Sequence, residues 1–411
     1  MRVKLSDVCV EGGIQTGPFG AQLHQSDYSE WGTPVCMPVN LVDGSISENG
    51  IARVSEEHVE RLSRYKVKRG DLLYARRGDV GRGSLVGVHE DGWLCGTGCL
   101  KVTPDPSKID SRYLFYLTSL PETIGWLVNH AKGTTMLNLN TGILSSLPLE
   151  IEDSLEKQHR IADVLSAYDE LIENNRRQIK LLEEAAQRLY KEWFVDLKFP
   201  GHETTPIVDG LPEGWRRSGL LKLADYVRGK SYTTNDLVDS GKMRLANLNN
   251  VAAYGGWSFG AEKPYAGAFK QEQIINCGDV VMAVTDMTKE RRLVGHVARV
   301  PMQADGFLIS MDLLKLVPRS TESDYLYAAL RFSGVAEMVA MLANGTNVLH
   351  LRPDALSRVE LAQPPRELQE RFSAAVRPLF ESCECLERQI SAAREARDRL
   401  LPKLMSGVVE V

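Results

Sequence analysis

The side chains best suited to chemistry in this chain are basic and polar groups set in short, glycine-containing stretches. GDLLYARRGDVGRGSLVG (70–87) carries Arg76, Arg77 and Arg82, and a second basic set is Arg228, Lys230, Lys289, Arg291 and Arg292. KGTTMLNLN (132–140) offers Lys132, Thr134, Thr135, Asn138 and Asn140, while ANGTNVLHL (343–351) offers Asn344, Thr346, Asn347 and His350. Gln22, Asn40, Asn247 and Asn249 complete the candidate set. Arginine and lysine reach guanine O6 and N7 in the DNA major groove, and asparagine reaches adenine N6 and N7. Glycines let a backbone approach phosphates closely. Each of these residues, taken singly, is read equally well as solvated surface. Their coincidence at matching places in two halves of the chain favours DNA readout.

Other chemistries lack their residues. No Asn/Asp-Pro-Pro-Tyr/Phe motif of an adenine methyltransferase occurs. Gly229-Lys230-Ser231 imitates the end of a P-loop, but the glycine required five residues earlier is Ala224. No GxGxxG and no HExxH is present. Asp71 and Asp279 sit in turns, where a structural role is expected. Seven scattered cysteines give no zinc spacing and suit a reducing cytoplasm. The N-terminus MRVKLSDVCV lacks the apolar core of a signal peptide, and no apolar run reaches membrane-span length. A net charge of −5 gives no global pull toward nucleic acid, so binding must use local patches.

The elements that must position these loops repeat. Residues 70–87 align without a gap on GDVVMAVTDMTKERRLVG (278–295) at an offset of 208. AKGTTMLNL (131–139) aligns on ANGTNVLHL (343–351) at 212, and PVNL (38–41) on LANL (245–248). Strand and turn positions recur, whereas Arg76–Arg82 faces the unrelated Val284–Glu290. Lys132 becomes Asn344, and Asn138 becomes His350. With 411 residues, such a repeat means two modules, each a mixed α/β region followed by a long helix.

Asp153, with Glu156 three residues on, is the expected N-cap of the first helix. Its apolar seam is Tyr168, Ile172, Asn175, Ile179, Leu182, Ala186, Leu189 and Trp193. The second seam is Phe372, Val376, Leu379, Cys383, Leu386, Ile390, Ala393, Arg397, Leu400 and Leu404. Steps of four and three are the coiled-coil heptad. Adding 211 to each position of the first seam lands on the second, so the helices share one register. Asn175 and Arg397 are polar positions able to fix that register, and Pro378 is expected to kink the second helix. The sequence divides into a globular region at 1–152, a helix at 153–198, a linker at 199–215 with three prolines and three glycines, a globular region at 216–364, and a helix at 365–411.

LYKEWFVDLKFPGHE (189–203), LPEGW (211–215) and RDRLLPKLMSG (397–407) resemble the conserved regions of type I restriction-modification specificity subunits. TGPFGAQLHQSDY (16–28) and KGTTMLNLN (132–140) resemble segments of that family's target-recognition domains. The resemblance runs over essentially the whole chain, but the tandem tetrapeptide repeats of some members are absent. It implies an α/β fold class: two mixed α/β target-recognition domains, separated by two long conserved helices packed as an antiparallel coiled coil, with a pseudo-twofold repeat. Each domain would read one half of a split sequence in double-stranded DNA. Two methyltransferase subunits using S-adenosylmethionine, and restriction subunits using ATP and Mg2+, would dock on a chain that itself binds no cofactor or metal and is non-catalytic. An antiparallel pair fits this, because the seam from Tyr168 to Trp193 is about 38 Å long at 1.5 Å per residue. One DNA turn between half-sites is about 34–36 Å. The other reading of the same residues is a coiled-coil protein scaffold without a DNA role, which explains the heptads but not the basic loops. A methylation-only relative of the family is a third.

Overall fold

Leu72, Leu73, Tyr74 and Ala75 form a strand whose four side chains are all buried. Successive side chains of a strand point to opposite faces. Leu72 and Tyr74 therefore join one core with Tyr113, Leu114 and Leu117, while Leu73 and Ala75 join another with Cys36, Leu41 and Val67. The second module repeats the device. Val280 and Met282 join a core with Tyr325 and Leu326, and Val281 and Ala283 one with Ala246 and Ile309. A strand covered on both faces reads as a continuous apolar run.

The computed structural model describes residues 1–18, 22–133, 137–288 and 290–411. The chain divides into two units, residues 1–170 with 394–411, and residues 171–393. Each contains an antiparallel four-stranded sheet. In the first unit the order is Cys9–Thr16, Cys99–Pro104, Leu72–Ala75, Gly83–Leu85. In the second it is Ala224–Arg228, Leu313–Pro318, Val280–Ala283, Val297–Arg299. A smaller mixed sheet accompanies each, with Leu94–Cys95 parallel to Thr33–Cys36 in one and Phe307–Ile309 parallel to Met243–Ala246 in the other.

The long helices span Leu155–Tyr190, continued by a π-helical turn Lys191–Val195, and Arg366–Met405. Each unit holds the start of one helix with the end of the other, so they run antiparallel. In the first unit Ile161 and Leu165 share a core with Leu401 and Leu404. In the second, Ala186, Tyr190 and Phe194 share one with Phe372 and Val376. Every expected seam position is buried or half-buried. Ile172, Ile179, Ile390 and Leu404 are buried, whereas Tyr168, Leu182, Leu189, Trp193, Leu379, Leu386 and Leu400 are half-buried. The polar seam positions are satisfied. Asn175 donates to Gln389 Oε1 at 3.1 Å, and Arg397 is ion-paired with Asp169, whose carboxylate also accepts from Tyr116 Oη.

One expectation, the cap of the first long helix, needs correction. The first long helix is capped by Ser154, one residue after the expected Asp153. The Ser154 hydroxyl accepts from Lys157 N at 3.3 Å, and Asp153 instead pairs with the N-terminal ammonium at 3.0 Å. The second long helix spans Arg366–Met405 with Pro378 inside it, and the Pro378 carbonyl accepts from the Ser382 hydroxyl at 2.7 Å. The linker stretch 199–215 carries structure of its own. Ile207–Val208 pairs with Leu211–Pro212, and Phe199 and Trp215 stack at 5.1 Å inside the second unit's core.

Candidate nucleic-acid interface

The central strand of each unit ends against a hairpin. In the first unit Arg76 N donates to Gly98 O at 2.7 Å, and Leu139 N donates to Arg76 O at 2.8 Å. Lys132 and Asn138 exchange both backbone hydrogen bonds, at 3.0 and 2.7 Å. Arg76 Nε lies 3.4 Å from Asn138 Oδ1. In the second unit Val284 N donates to Asp312 O and Leu351 N to Val284 O, each at 2.8 Å. Asn344 and His350 exchange the same pair of bonds at 3.0 and 2.8 Å. The match of Lys132, Asn138 and Leu139 with Asn344, His350 and Leu351 is thus geometric as well as sequential. One constellation is built twice with different side chains.

Arg77 and Lys132 are exposed beside the first hairpin, with Arg76 and Asn138 half-buried behind them. Arg82 ion-pairs with Asp79 at 3.0 Å and reaches the carbonyls of Pro38 and Leu41 at 3.5 Å, bringing the 38–41 segment into the same neighbourhood. Around the second hairpin Asn344, Thr346, Asn347 and His350 are all exposed. Lys230 is joined to the neighbouring strand end through Ile309 O and Met311 N, at 2.7 and 2.8 Å. Arg228 and Asn249 are exposed, and the Arg228 carbonyl accepts from Gln273 Nε2 at 3.2 Å. Thr134, Thr135 and Lys289 lie outside the described residues.

Several candidates are placed otherwise than expected. Asn40 is 1 % exposed, and its amide accepts from Met37 N and donates to Ser47 O. Its partner in the second unit is Asn250, which accepts from Asn247 N and donates to Ser258 O. PVNL therefore corresponds to LNNV (248–251), not to LANL. Asn247 is itself buried, accepting from Asn249 N and donating to Ala261 O. Asn40 and Asn247 shape turns and present no free edge to a base. Asn140 caps the helix Thr141–Ser145 by accepting from Ile143 N. Gln22 accepts from the Tyr65 hydroxyl at 2.8 Å. Arg291 donates to Ala340 O at 2.9 Å.

The gap-free alignment of 70–87 with 278–295 also fails beyond Ala75. Val86 N donates to Asp71 O, and the equivalent donor to Asp279 O is Val300 N, both at 2.8 Å. The offset grows from 208 at Asp279 to 214 at Val300, so the second unit has six additional residues in this loop. The Leu-Val-Gly identity at its end is coincidental. Asp286 organises the longer loop. Burial raises its carboxyl, but hydrogen bonds from Thr288, Leu293 and Val294 outweigh this and hold it below the usual range.

Sequence reading passed over one matched pair. Gly17 N donates to Cys99 O at 2.9 Å, and Gly229 N to Leu313 O at 3.2 Å. A Cβ at Gly17 would stand 2.0 Å from Gly96 O, and one at Gly229 1.8 Å from Ser310 O. Only glycine fits either place. The signal was a glycine at offset 212, hidden because one copy sits in TGPFG and the other in the false P-loop. Asp71 and Asp279 are turn residues as expected, accepting from Lys68 N and Asn276 N.

Among the described residues no cluster of three His, Cys, Asp or Glu could hold a metal ion, and no helix is long and apolar enough to cross a membrane.

Residues 21–184 match the family model described as the type I restriction modification DNA specificity domain. The chain is 25% identical over 353 residues to the type I restriction enzyme MjaIX specificity subunit of Methanocaldococcus jannaschii, covering 83% of this chain and 78% of that one. It is 22% identical over 408 residues to the HindI specificity subunit of Haemophilus influenzae, covering 83% and 86%. Its fold is similar to the crystal structure of the type I restriction-modification S subunit from M. genitalium, with a TM-score of 0.61 at 16% identity over 98% of this chain and 96% of that one. Over most of its length the chain is similar to type I restriction-modification specificity subunits, and its role is that of a non-catalytic DNA specificity subunit of such a system.

Proposed function

We propose that each unit reads one half of a split target in double-stranded DNA, through the edge where its central strand meets its hairpin. The observation that carries this is the pairing of Lys132 with Asn138 and of Asn344 with His350. The same backbone frame presents different side chains in the two units. A fixed frame with changed donors and acceptors is what two readers of different base pairs require. Arg77 and Lys132 serve the first half. Asn344, Thr346, Asn347 and His350 serve the second, with Arg228, Lys230 and Asn249 on its margin. Thr134, Thr135 and Lys289 remain in the proposed set on their sequence positions alone.

The chain works in the cytoplasm within a larger assembly. Two methyltransferase subunits supply S-adenosylmethionine chemistry, and restriction subunits supply ATP- and Mg2+-dependent cleavage. Sequencing the methylated bases of a host carrying the system tests the reading. A split motif with a constant spacer is expected. A continuous motif, or no motif dependent on this chain, would sink it.

A further inference from the structure

The two units differ in the loop that follows the central strand, which is six residues longer in the second. The added length is tied into a lobe. Asp286, with 0 % of its surface exposed, stands at the base. One carboxylate oxygen accepts from Thr288 N at 2.6 Å, and the other from Leu293 N and Val294 N at 2.6 and 3.0 Å. The carboxylate therefore clasps both legs of the lobe. Thr285 and Asp286 also pair with His350 and Leu349, which fastens the lobe to the hairpin.

Two further fastenings hold the far leg. Gly295 has a φ of +84°, and a Cβ there would stand 2.6 Å from Ala336 O, so the chain is pressed against the helix Val335–Met341. Arg291, in the left-handed region at φ +55°, donates to Ala340 O near the end of that helix. A non-glycine residue kept at positive φ marks a conformation that the surroundings impose. The Arg292 carbonyl accepts from Tyr254 N at 2.8 Å, yet its side chain stays exposed, 3.6 Å from the more exposed Glu290. Exposed pairs of this kind are weak and exchange readily for another acceptor.

We infer that this lobe is a sequence-reading element confined to the second unit, with Arg292 presented to DNA and with Asp286 and Arg291 as positioning residues. The inference rests on the units reading separate half-sites. Arginine is the side chain most often used for a bidentate contact to guanine, and its value depends on how well its backbone is aimed.

The experiment uses the full chain with its methyltransferase subunits in a host, with that host's genomic DNA as probe. Arg292→Ala, an exposed change, should relax the base preference at one or more positions of one half of the methylated motif, by tenfold or more. Asp286→Asn should relax the same half, and both should leave the other half unchanged. An unaltered motif at unaltered occupancy in both variants would overturn the inference. So would an equal fall at all sites with Arg292→Ala, which marks a phosphate contact, or failure of Asp286→Asn to assemble while Arg292→Ala is silent. A continuous motif with the wild-type chain would defeat the half-site reading itself. A split motif indifferent to both variants would defeat only the lobe.

Discussion

Gln158 and Gln369, 211 positions apart, make the same two hydrogen bonds. Gln158 accepts from Asp110 N at 2.9 Å and donates to Glu152 O at 2.7 Å. Gln369 accepts from Glu322 N at 3.0 Å and donates to Pro364 O at 2.8 Å. Each glutamine is 1 % exposed. Each ties the first turn of a long helix both to the segment that leads into it and to the short helix of its own unit. The tie fastens the start of each long helix to its own globular region.

Replacing either glutamine by leucine leaves a buried donor and acceptor without partners, at a cost of about 1–3 kcal/mol for each orphaned group. Amide hydrogen exchange should show Gln158→Leu loosening residues of 1–170 and 394–411, and Gln369→Leu loosening those of 171–393. Equal loosening of both units by either change would contradict the idea of separate locks.

The matched glycines call for a different test. Alanine at Gly17 or Gly229 drives a methyl group into a backbone carbonyl that cannot swing aside, so each change should cost at least about 1–3 kcal/mol. Gly125 is the contrast. It lies inside the helix Pro121–His130, and a Cβ there meets nothing within 4 Å. Gly125→Ala should stabilise the chain by about 0.5–1 kcal/mol. Urea midpoints decide the matter, and a neutral Gly229→Ala would show that the strand ends are not closely packed.

Periodic features were legible in the sequence. The helix register was visible because apolar side chains recur every three or four residues over long helices, and the hairpins because Gly133 and Gly345 sit in otherwise similar strings. Features that depend on three-dimensional pairing were hidden. The six-residue insertion escaped because Leu-Val-Gly recurs by chance where the strand does not. The Asn40 turn was matched to the wrong asparagine because LANL and LNNV overlap, and only the bond to Ser47 or Ser258 separates them. Nor does a heptad reveal that Tyr190 and Phe194, outside the seam, meet Phe372 at 6.1 and 4.9 Å and anchor the second unit. A lone buried glutamine carries no pattern at all.

Two carboxylates of the second unit should titrate with opposite signs. The Asp286 carboxyl lies below its unfolded value of about 3.9. Its contribution to stability is present above that pH and is lost as pH falls through the lower folded value. Burial raises the Glu384 carboxyl, against the opposing pull of Arg299. Its contribution is fully present below about pH 4.3 and is lost as pH rises through the folded value. Urea midpoints taken from about pH 3 to 7 should therefore lose some of their acid-side fall in Asp286→Asn, and some of their fall toward neutral pH in Glu384→Gln. The same profile in wild type and both variants would count against these placements.

The division of labour between the hairpins can be tested without knowing the target in advance. Arg77 and Lys132 stand exposed on one edge, and Asn344 and His350 on the other; Lys132, Asn344 and His350 are held by their own backbone bonds and Arg77 by those of its neighbours Arg76 and Gly78, all of which alanine preserves. A side chain that contacts a base edge contributes about 1–3 kcal/mol of discrimination, or about 5- to 150-fold in preference. Arg77→Ala or Lys132→Ala should relax positions in one half of the methylated motif, and Asn344→Ala or His350→Ala positions in the other. A contact to phosphate would instead weaken all sequences alike and reduce the salt dependence of binding. Competition binding by the assembled methyltransferase complex, with each motif position varied in turn and repeated at two salt concentrations, separates the two effects. If an Arg77 change and a His350 change relaxed the same half, the units would not be independent readers, and the repeat would serve assembly rather than recognition.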